Sequence, residues 1–200
     1  MPLLKKQREI LVGLVLGDAY LQKTGQRNAR LRLEHSAKQK EYIFWKWQEL
    51  QNLMQDRPKR LERFNPVFRK KYAYYRCQSH ASPILGKFRR WFYVDGGKII
   101  PENIRTLFKS SLSLAVWYMD DGYYYPRDKS AYIYIPRYPA DSMHRLLDTL
   151  EANFGLKPRV YKKKKENLCL YFNVAETIKL MDLVKIHIIH SMHYKTPQTP

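Results

Sequence analysis

The sequence predicts an α+β fold built from two related halves, and three observations carry that expectation. An apolar helix that runs into Asp18 recurs without a gap before Asp121, 103 residues further on. Each copy is followed by the same order of elements, strand–strand–helix–strand–strand–helix. Each half then closes on a lysine just ahead of a proline.

Residues 3–18 read as a helix because Leu3, Leu4, Ile10, Leu11, Leu14 and Val15 recur at spacings of three, four and seven. Setting Leu11 over Leu114 aligns this segment with 112–121, where Leu112, Leu114, Ala115, Trp117, Tyr118 and Met119 lead into Asp120, Asp121 and Gly122. Asp18 then falls on Asp121 and Tyr20 on Tyr123. Two short alternating stretches follow, near 19–24 and 29–34, with Thr24, Gly25 and Gln26 as the turn between them. Their counterparts are 123–125 and 132–135, joined by a turn at Pro126, Arg127 and Asp128. Helices are expected over 37–55 and 139–154, the second ended by Gly155. Two more strands come next in each half, near 66–70 and 72–79, then near 157–162 and 168–172. Closing helices are expected at 81–93 and 174–189. After them stand Lys98, ahead of Pro101, and Lys195, ahead of Pro197. The joining segment 101–111 has no Gly/Ser-rich stretch, so the two repeats, 1–105 and 106–200, are expected to form one pseudo-symmetric body.

Bulk composition narrows the partner. The chain has 200 residues, 44% of them hydrophobic, which is enough for a real core. Lys and Arg total 37 against 18 acidic residues, a formal charge of +19 that favours polyanions. Nucleic acid is the expected partner, with ribosomal, regulatory and enzymatic proteins all still open. No segment approaches a bilayer span, and no basic amphipathic anchor suggests a membrane surface. The start lacks the long apolar core of a signal peptide, so a cytoplasmic or organelle-interior location is expected, not secretion. Two cysteines, Cys77 and Cys169, are too few for a disulfide framework and are expected to be reduced.

The aspartates carry the chemistry. A carboxylate at a helix C-terminus meets the negative end of the dipole, which a bound cation offsets. Hard carboxylate oxygens suit Mg²⁺. A lone Asp before Gly is more often a turn residue, but two at matched repeat positions favour a metal. Gly13 and Gly17, four apart on one helix face, would let a partner helix approach closely. The second helix has Val116 and Asp120 at those positions, and Ser111 with Ala115 is its comparable small pair.

Residues 11–19 and 114–122 together resemble the paired signatures of the LAGLIDADG homing endonucleases, most of all the single-chain, intron-encoded members. Ile100, Pro101, Glu102 and Asn103 after Lys98, residues 113–115, Trp117, residues 119–122, and 192–197 extend the resemblance over nearly the whole chain. It implies two αββαββα halves whose four-stranded antiparallel sheets form a DNA-binding saddle. It implies metal binding at Asp18 and Asp121 and beside them at Ala19 and Gly122, with Lys98 and Lys195 as the catalytic lysines. Glu34 matches an active-site-edge position, with Arg137 as its expected counterpart in the second half. The implied activity is Mg²⁺-dependent hydrolysis of both strands of a long duplex target, leaving short 3′ overhangs, by a monomer needing no protein partner. Mn²⁺ would substitute, and Ca²⁺ would support binding without cleavage. The competing class is an RNA-binding maturase or regulator of the same fold that does not cut; the presence of both acids and both lysines favours cutting.

DNA contacts are expected from the alternating strands: Gln22, Arg30, Arg32, Glu34, Arg69, Lys71, Arg76, Tyr132, Tyr134, Arg137, Arg159, Tyr161 and Tyr171. Lys162, Lys163 and Lys164 are expected at phosphates. The plain alternatives are a solvated polar face and core tyrosines. His187, His190 and His193 are spaced by three but poorly suited to a zinc site. Asp95, Gly96, Gly97 and Lys98 lack the full phosphate-loop pattern.

Overall fold

The computed structural model describes residues 3–162 and 168–198. Lys163 and Lys164 therefore lie outside the described residues. The first half runs α1 (Lys5–Leu16), β1 (Tyr20–Lys23), β2 (Ala29–Ser36), α2 (Lys40–Glu49), β3 (Lys59–Asn65), β4 (Lys70–Gln78) and α3 (Pro83–Phe92). A two-stranded hairpin, β5 (Tyr93–Val94) with β6 (Gly97–Lys98), and the short α4 (Ile104–Leu107) lead to the second half. That half runs α5 (Ser111–Asp121), β7 (Gly122–Tyr125), β8 (Ser130–Ile135), α6 (Ala140–Phe154), β9 (Arg159–Lys162), β10 (Leu168–Phe172) and α7 (Val174–Val184). The α+β order expected from the sequence thus occurs twice.

Each half contributes one four-stranded antiparallel sheet, ordered β1-β2-β4-β3 in the first and β7-β8-β10-β9 in the second. The chain divides into two compact units, Asp18–Arg90 and Met1–Gly17 with Trp91–Pro200. The first sheet belongs to the former unit and the second sheet to the latter.

The larger unit is organised around α1 and α5. Residues 10–16 of α1 and 112–120 of α5 are buried without interruption, as expected of helices apolar on every side. The glycine stripe lets them approach. A Cβ at Gly13 would lie 2.4 Å from Ser113 O, and one at Gly17 would lie 2.5 Å from Asp120 Oδ2. Ser113 Oγ donates to Glu9 O at 2.7 Å, tying the same two helices. The stripe therefore meets the Ser113 carbonyl and the Val116 side chain at Gly13, and the Asp120 side chain at Gly17.

Three expectations are corrected. The third strand is Lys59–Asn65, not 66–70. Pro66 cannot extend the ladder, and Asn65 Oδ1 instead accepts from the Val67 and Phe68 amides at 3.0 and 3.2 Å, closing a turn. Arg69 lies in that turn with φ 49°, not on a strand. The closing helix of the second half stops at Val184, where the β-branched Ile186, Ile188 and Ile189 crowd the next turn, and 3-10 turns continue through Lys185–His187 and His190–Lys195.

Gly155 ends α6 in the left-handed conformation, φ 65°. Asp95 and Gly96, with φ 47° and 82°, form the two-residue turn of the β5–β6 hairpin, so this Gly-rich stretch is a tight turn that delivers Lys98. Both cysteines are free and buried; burial pushes the Cys77 thiol up to about 12. Among the described residues, no helix is long and apolar enough to cross a membrane.

Candidate active site and nucleic-acid face

The C-terminal ends of α1 and α5 are finished in the same way. Lys98, delivered by the β5–β6 hairpin, donates its Nζ to Gly17 O at 2.5 Å. Lys195, delivered by the last 3-10 turn, donates to Asp120 O at 2.8 Å and Met119 O at 2.6 Å. Gly17 and Asp120 are the residues immediately before Asp18 and Asp121. Each lysine thus binds the carbonyl that precedes the matched aspartate. A cation there also offsets the negative end of the helix dipole.

Lys195 is 8% exposed, and its own carbonyl accepts from Tyr118 Oη at 2.6 Å, so its backbone is fixed as well as its ammonium. Asp120 is buried against Gly17, which leaves Asp121, half-buried, as the outward member of the pair. Burial, then the charge of Asp121 and nearby Tyr93, push the Tyr138 phenol above its usual range. Gly122 starts β7, where a Cβ would strike the Tyr118 carbonyl. In the other unit, Ala19 is buried beside Asp18, whose side chain is 44% exposed. Accessible carboxylates at Asp18 and Asp121 are hard oxygen donors, a set that fits Mg²⁺ or Mn²⁺.

The first sheet has one buried and one open face. In β2, Ala29, Leu31, Leu33 and His35 turn inward, while Arg30, Arg32, Glu34 and Ser36 turn outward. Pairing carries the outward set across the sheet: Gln22 opposite Arg30, Tyr20 and Gln78 opposite Arg32, Arg76 opposite Glu34. Gln22, Arg30, Arg32, Glu34 and Arg76 are therefore brought to one face. Glu34 accepts from Arg76 at 2.6 and 2.9 Å and from Arg63 at 3.1 Å. The Glu34 hydrogen bond raises the Arg76 guanidinium further above its ordinary value. Lys71 pairs with Phe64, on the opposite face from Arg76, and Arg69 sits in the turn. Both were expected as DNA contacts, and neither lies on this open face. Arg63 and Tyr20 do lie on it and were missed.

The second sheet's open face is aromatic. Tyr132 opposes Tyr171 and Tyr123, Tyr134 opposes Cys169, and Cys169 and Tyr171 oppose Tyr161 and Arg159. The Tyr132 and Tyr171 rings lie 5.2 Å apart, and the Tyr161 and Tyr171 rings 6.4 Å. All five residues expected on these strands share this face, and Tyr123 and Tyr125 join them. Lys162, next to Tyr161, alternates to the other side.

Arg137 is displaced from its expected role. Tyr20 pairs with Arg32, but its counterpart Tyr123 pairs with Tyr132, so the second hairpin turns back three residues sooner. The register puts Tyr134, not Arg137, at the place of Glu34. Arg137 lies beyond β8 on an exposed connection.

Comparison with known proteins now decides the family. The profile described as LAGLIDADG DNA endonuclease family matches residues 8–180. The chain belongs to the LAGLIDADG DNA endonuclease family. A probable intron-encoded endonuclease of Wickerhamomyces canadensis is 27% identical over 96% of this chain and 84% of its own length. The protein RecA of Mycolicibacterium fallax is 28% identical over 95% of this chain and 46% of its own length. The chain spans about half the length of the RecA relatives it matches. The solved structure of the homing endonuclease I-WcaI bound to its DNA recognition sequence superposes with a TM-score of 0.88 at 26% identity, covering 98% of this chain and 87% of that one. The resemblance read from the two signatures is thereby confirmed at the level of family and fold.

Within this LAGLIDADG frame, His187 and His193 hydrogen-bond to different groups, and the His190 ring packs edge-on against His193 at 5.4 Å. His187 Nε2 meets Ser111 Oγ at 2.9 Å, and His193 Nε2 donates to Ile188 O at 3.2 Å. The histidine that lies near a signature aspartate is His35. Its Nδ1 is 4.0 Å from Asp18 Oδ2, and no spacing in the chain distinguishes it.

Proposed function

We propose that this protein is a site-specific homing endonuclease that hydrolyses both strands of a long DNA duplex, using Asp18 and Lys98 in one half and Asp121 and Lys195 in the other. The observation that carries this reading is the matched pair of lysines, each on the carbonyl before its aspartate. A divalent cation bound by the carboxylates would supply charge neutralisation at phosphorus and support for the leaving oxygen.

The chain's own residues do the rest. The aspartates hold the metal, with contributions from Ala19 and Gly122. The lysine ammonium groups stabilise charge developing on the phosphoryl oxygens and orient the attacking water. Gln22, Arg30, Arg32 and Arg76 read base edges and phosphates, and the tyrosine face of the second sheet contributes apolar and hydroxyl contacts. Mg²⁺ is the expected ion, Mn²⁺ substitutes, and Ca²⁺ supports binding without cutting. Cleavage leaves short 3′ overhangs. The repeats 1–105 and 106–200 supply both half-sites, so the enzyme acts as a monomer.

The experiment is selection of a cleaved site from a randomised plasmid library in Mg²⁺. A recovered site cut on both strands supports the reading. Tight binding to RNA with no cleavage of any library member would replace it with the maturase reading.

A further inference from the structure

A buried lysine stands behind His35. Lys46, on α2, is wholly buried, and its Nζ donates to His35 Nε2 at 2.7 Å. The ammonium also lies over the Tyr42 ring, 4.1 Å from its centroid, and the Tyr42 ring tilts against the His35 ring at 5.1 Å. Burying an ammonium is costly, and a methionine would fill the same space at less expense. What the charge gains is a defined imidazole. A donor at Nε2 assigns the ring proton to Nδ1. That Nδ1 lies 3.0 Å from Gln39 Oε1 and 4.0 Å from Asp18 Oδ2. The His35 side chain is only 2% exposed, so packing fixes the ring plane. The Nδ1 proton is thus donated to Gln39 Oε1, which fixes the ring, and the Nδ1 edge of this locked imidazole stands 4.0 Å from the Asp18 carboxylate, with a cation one ring behind it.

The second half lacks this arrangement at the matching register. Three residues beyond Arg32 is His35, and three beyond its counterpart Tyr132 is Ile135, a buried apolar side chain with no proton to donate.

We propose that His35 and Lys46 are positioning residues that hold the Asp18 carboxylate oriented toward a divalent cation, so that the two halves bind metal unequally. This rests on the reading of Asp18 as a metal ligand. Groups that orient a ligand in this way are worth about 10- to 100-fold in metal affinity or activity.

The test uses the full chain bound to a duplex from the plasmid selection, with Mn²⁺ binding followed by electron paramagnetic resonance. His35→Leu is placed in a D121N background, where Asp18 is the remaining signature carboxylate, and in a D18N background. The expected result is about tenfold weaker Mn²⁺ binding in the first background and unchanged binding in the second. His35→Asn, which keeps a donor near the Nδ1 position, should recover most of the loss. Lys46→Met should match His35→Leu, and if it does not fold, the His35 variants carry the test. Equal weakening in both backgrounds, or none in either, overturns the proposal. If D18N alone cleaves like the parent, the Asp18 reading fails and takes this proposal with it. If D18N is inactive and H35L binds Mn²⁺ normally, only the positioning role fails.

Discussion

Lys98 Nζ lies 2.5 Å from the carbonyl oxygen of Gly17, and this contact sets the lysine one peptide unit away from Asp18. Lys195 repeats it on Asp120, with a second bond to Met119 O. The repetition is chemical as well as topological. A flexible four-carbon stem is tied down at its charged end, and under the proposed function that end would meet developing phosphoryl charge without reorganising.

Replacing either lysine by methionine should therefore slow cleavage by about 10²-fold or more while leaving Ca²⁺-supported DNA binding nearly intact. The two variants should differ in stability. Lys195 is buried and donates to the Asp120 and Met119 carbonyls, so K195M should cost about 1–3 kcal/mol, and K98M, at a half-buried position, less. Single-turnover cleavage, gel-shift binding and thermal unfolding of each variant check this. Unchanged cleavage by both would reduce the lysines to helix-end caps.

The aspartates should separate binding from chemistry. Asp18→Asn and Asp121→Asn keep shape but remove the anionic oxygens a hard cation needs. Each should abolish double-strand cleavage and retain specific binding. Chelating the divalent ion should have the same effect on the parent enzyme. Full cutting by either variant would remove that residue from the metal site.

The parts of this site that were legible in the sequence are those written in one contiguous stretch. The signature helices with Asp18 and Asp121 share one offset, 103 residues, and an ungapped alignment finds them, whereas Lys98 and Lys195 are marked by their place after each closing helix, just ahead of a proline. The same alignment fails past Tyr123, because the two hairpins differ in length, and so it mispaired Glu34 with Arg137. β3 was missed because it is an edge strand with charge on both faces. Lys59, Arg60, Glu62 and Arg63 are all exposed, so no buried–exposed alternation marks it. His35 and Lys46 stand eleven residues apart on a strand and a helix, and only tertiary packing brings them together.

The open face of the first sheet predicts steep salt dependence. Several arginine–phosphate contacts imply a log–log slope on the order of −5 or steeper. Glu34 restrains part of that charge by holding Arg76 and Arg63. Glu34→Gln should release both and tighten non-specific binding by about two- to fivefold, the equivalent of about 0.5–1 kcal/mol for an exposed pair. Discrimination between the selected site and random DNA should fall correspondingly. A slope near zero would mean that the +19 charge does not serve DNA binding.

The contact between Gly17 and Asp120 should be energetically coupled. These residues occupy matched positions in the two signatures, one with no side chain and the other with a carboxylate that fills the space. A Cβ at Gly17 would come within 2.7 Å of the Asp120 Cβ and 2.9 Å of its Cγ, too close for either helix to accommodate in place. Gly17→Ala should therefore destabilise the protein by about 1–3 kcal/mol, as overpacking does. Asp120→Gly should carry its own cost of about 1 kcal/mol for glycine in a helix. In the double variant the clash is gone, so the two costs should fall short of additive by about 1 kcal/mol or more. Denaturant unfolding of the parent, both singles and the double closes this cycle. Strict additivity, or a G17A as stable as the parent, would show that the helices are not held at the separation that makes Gly17 obligatory.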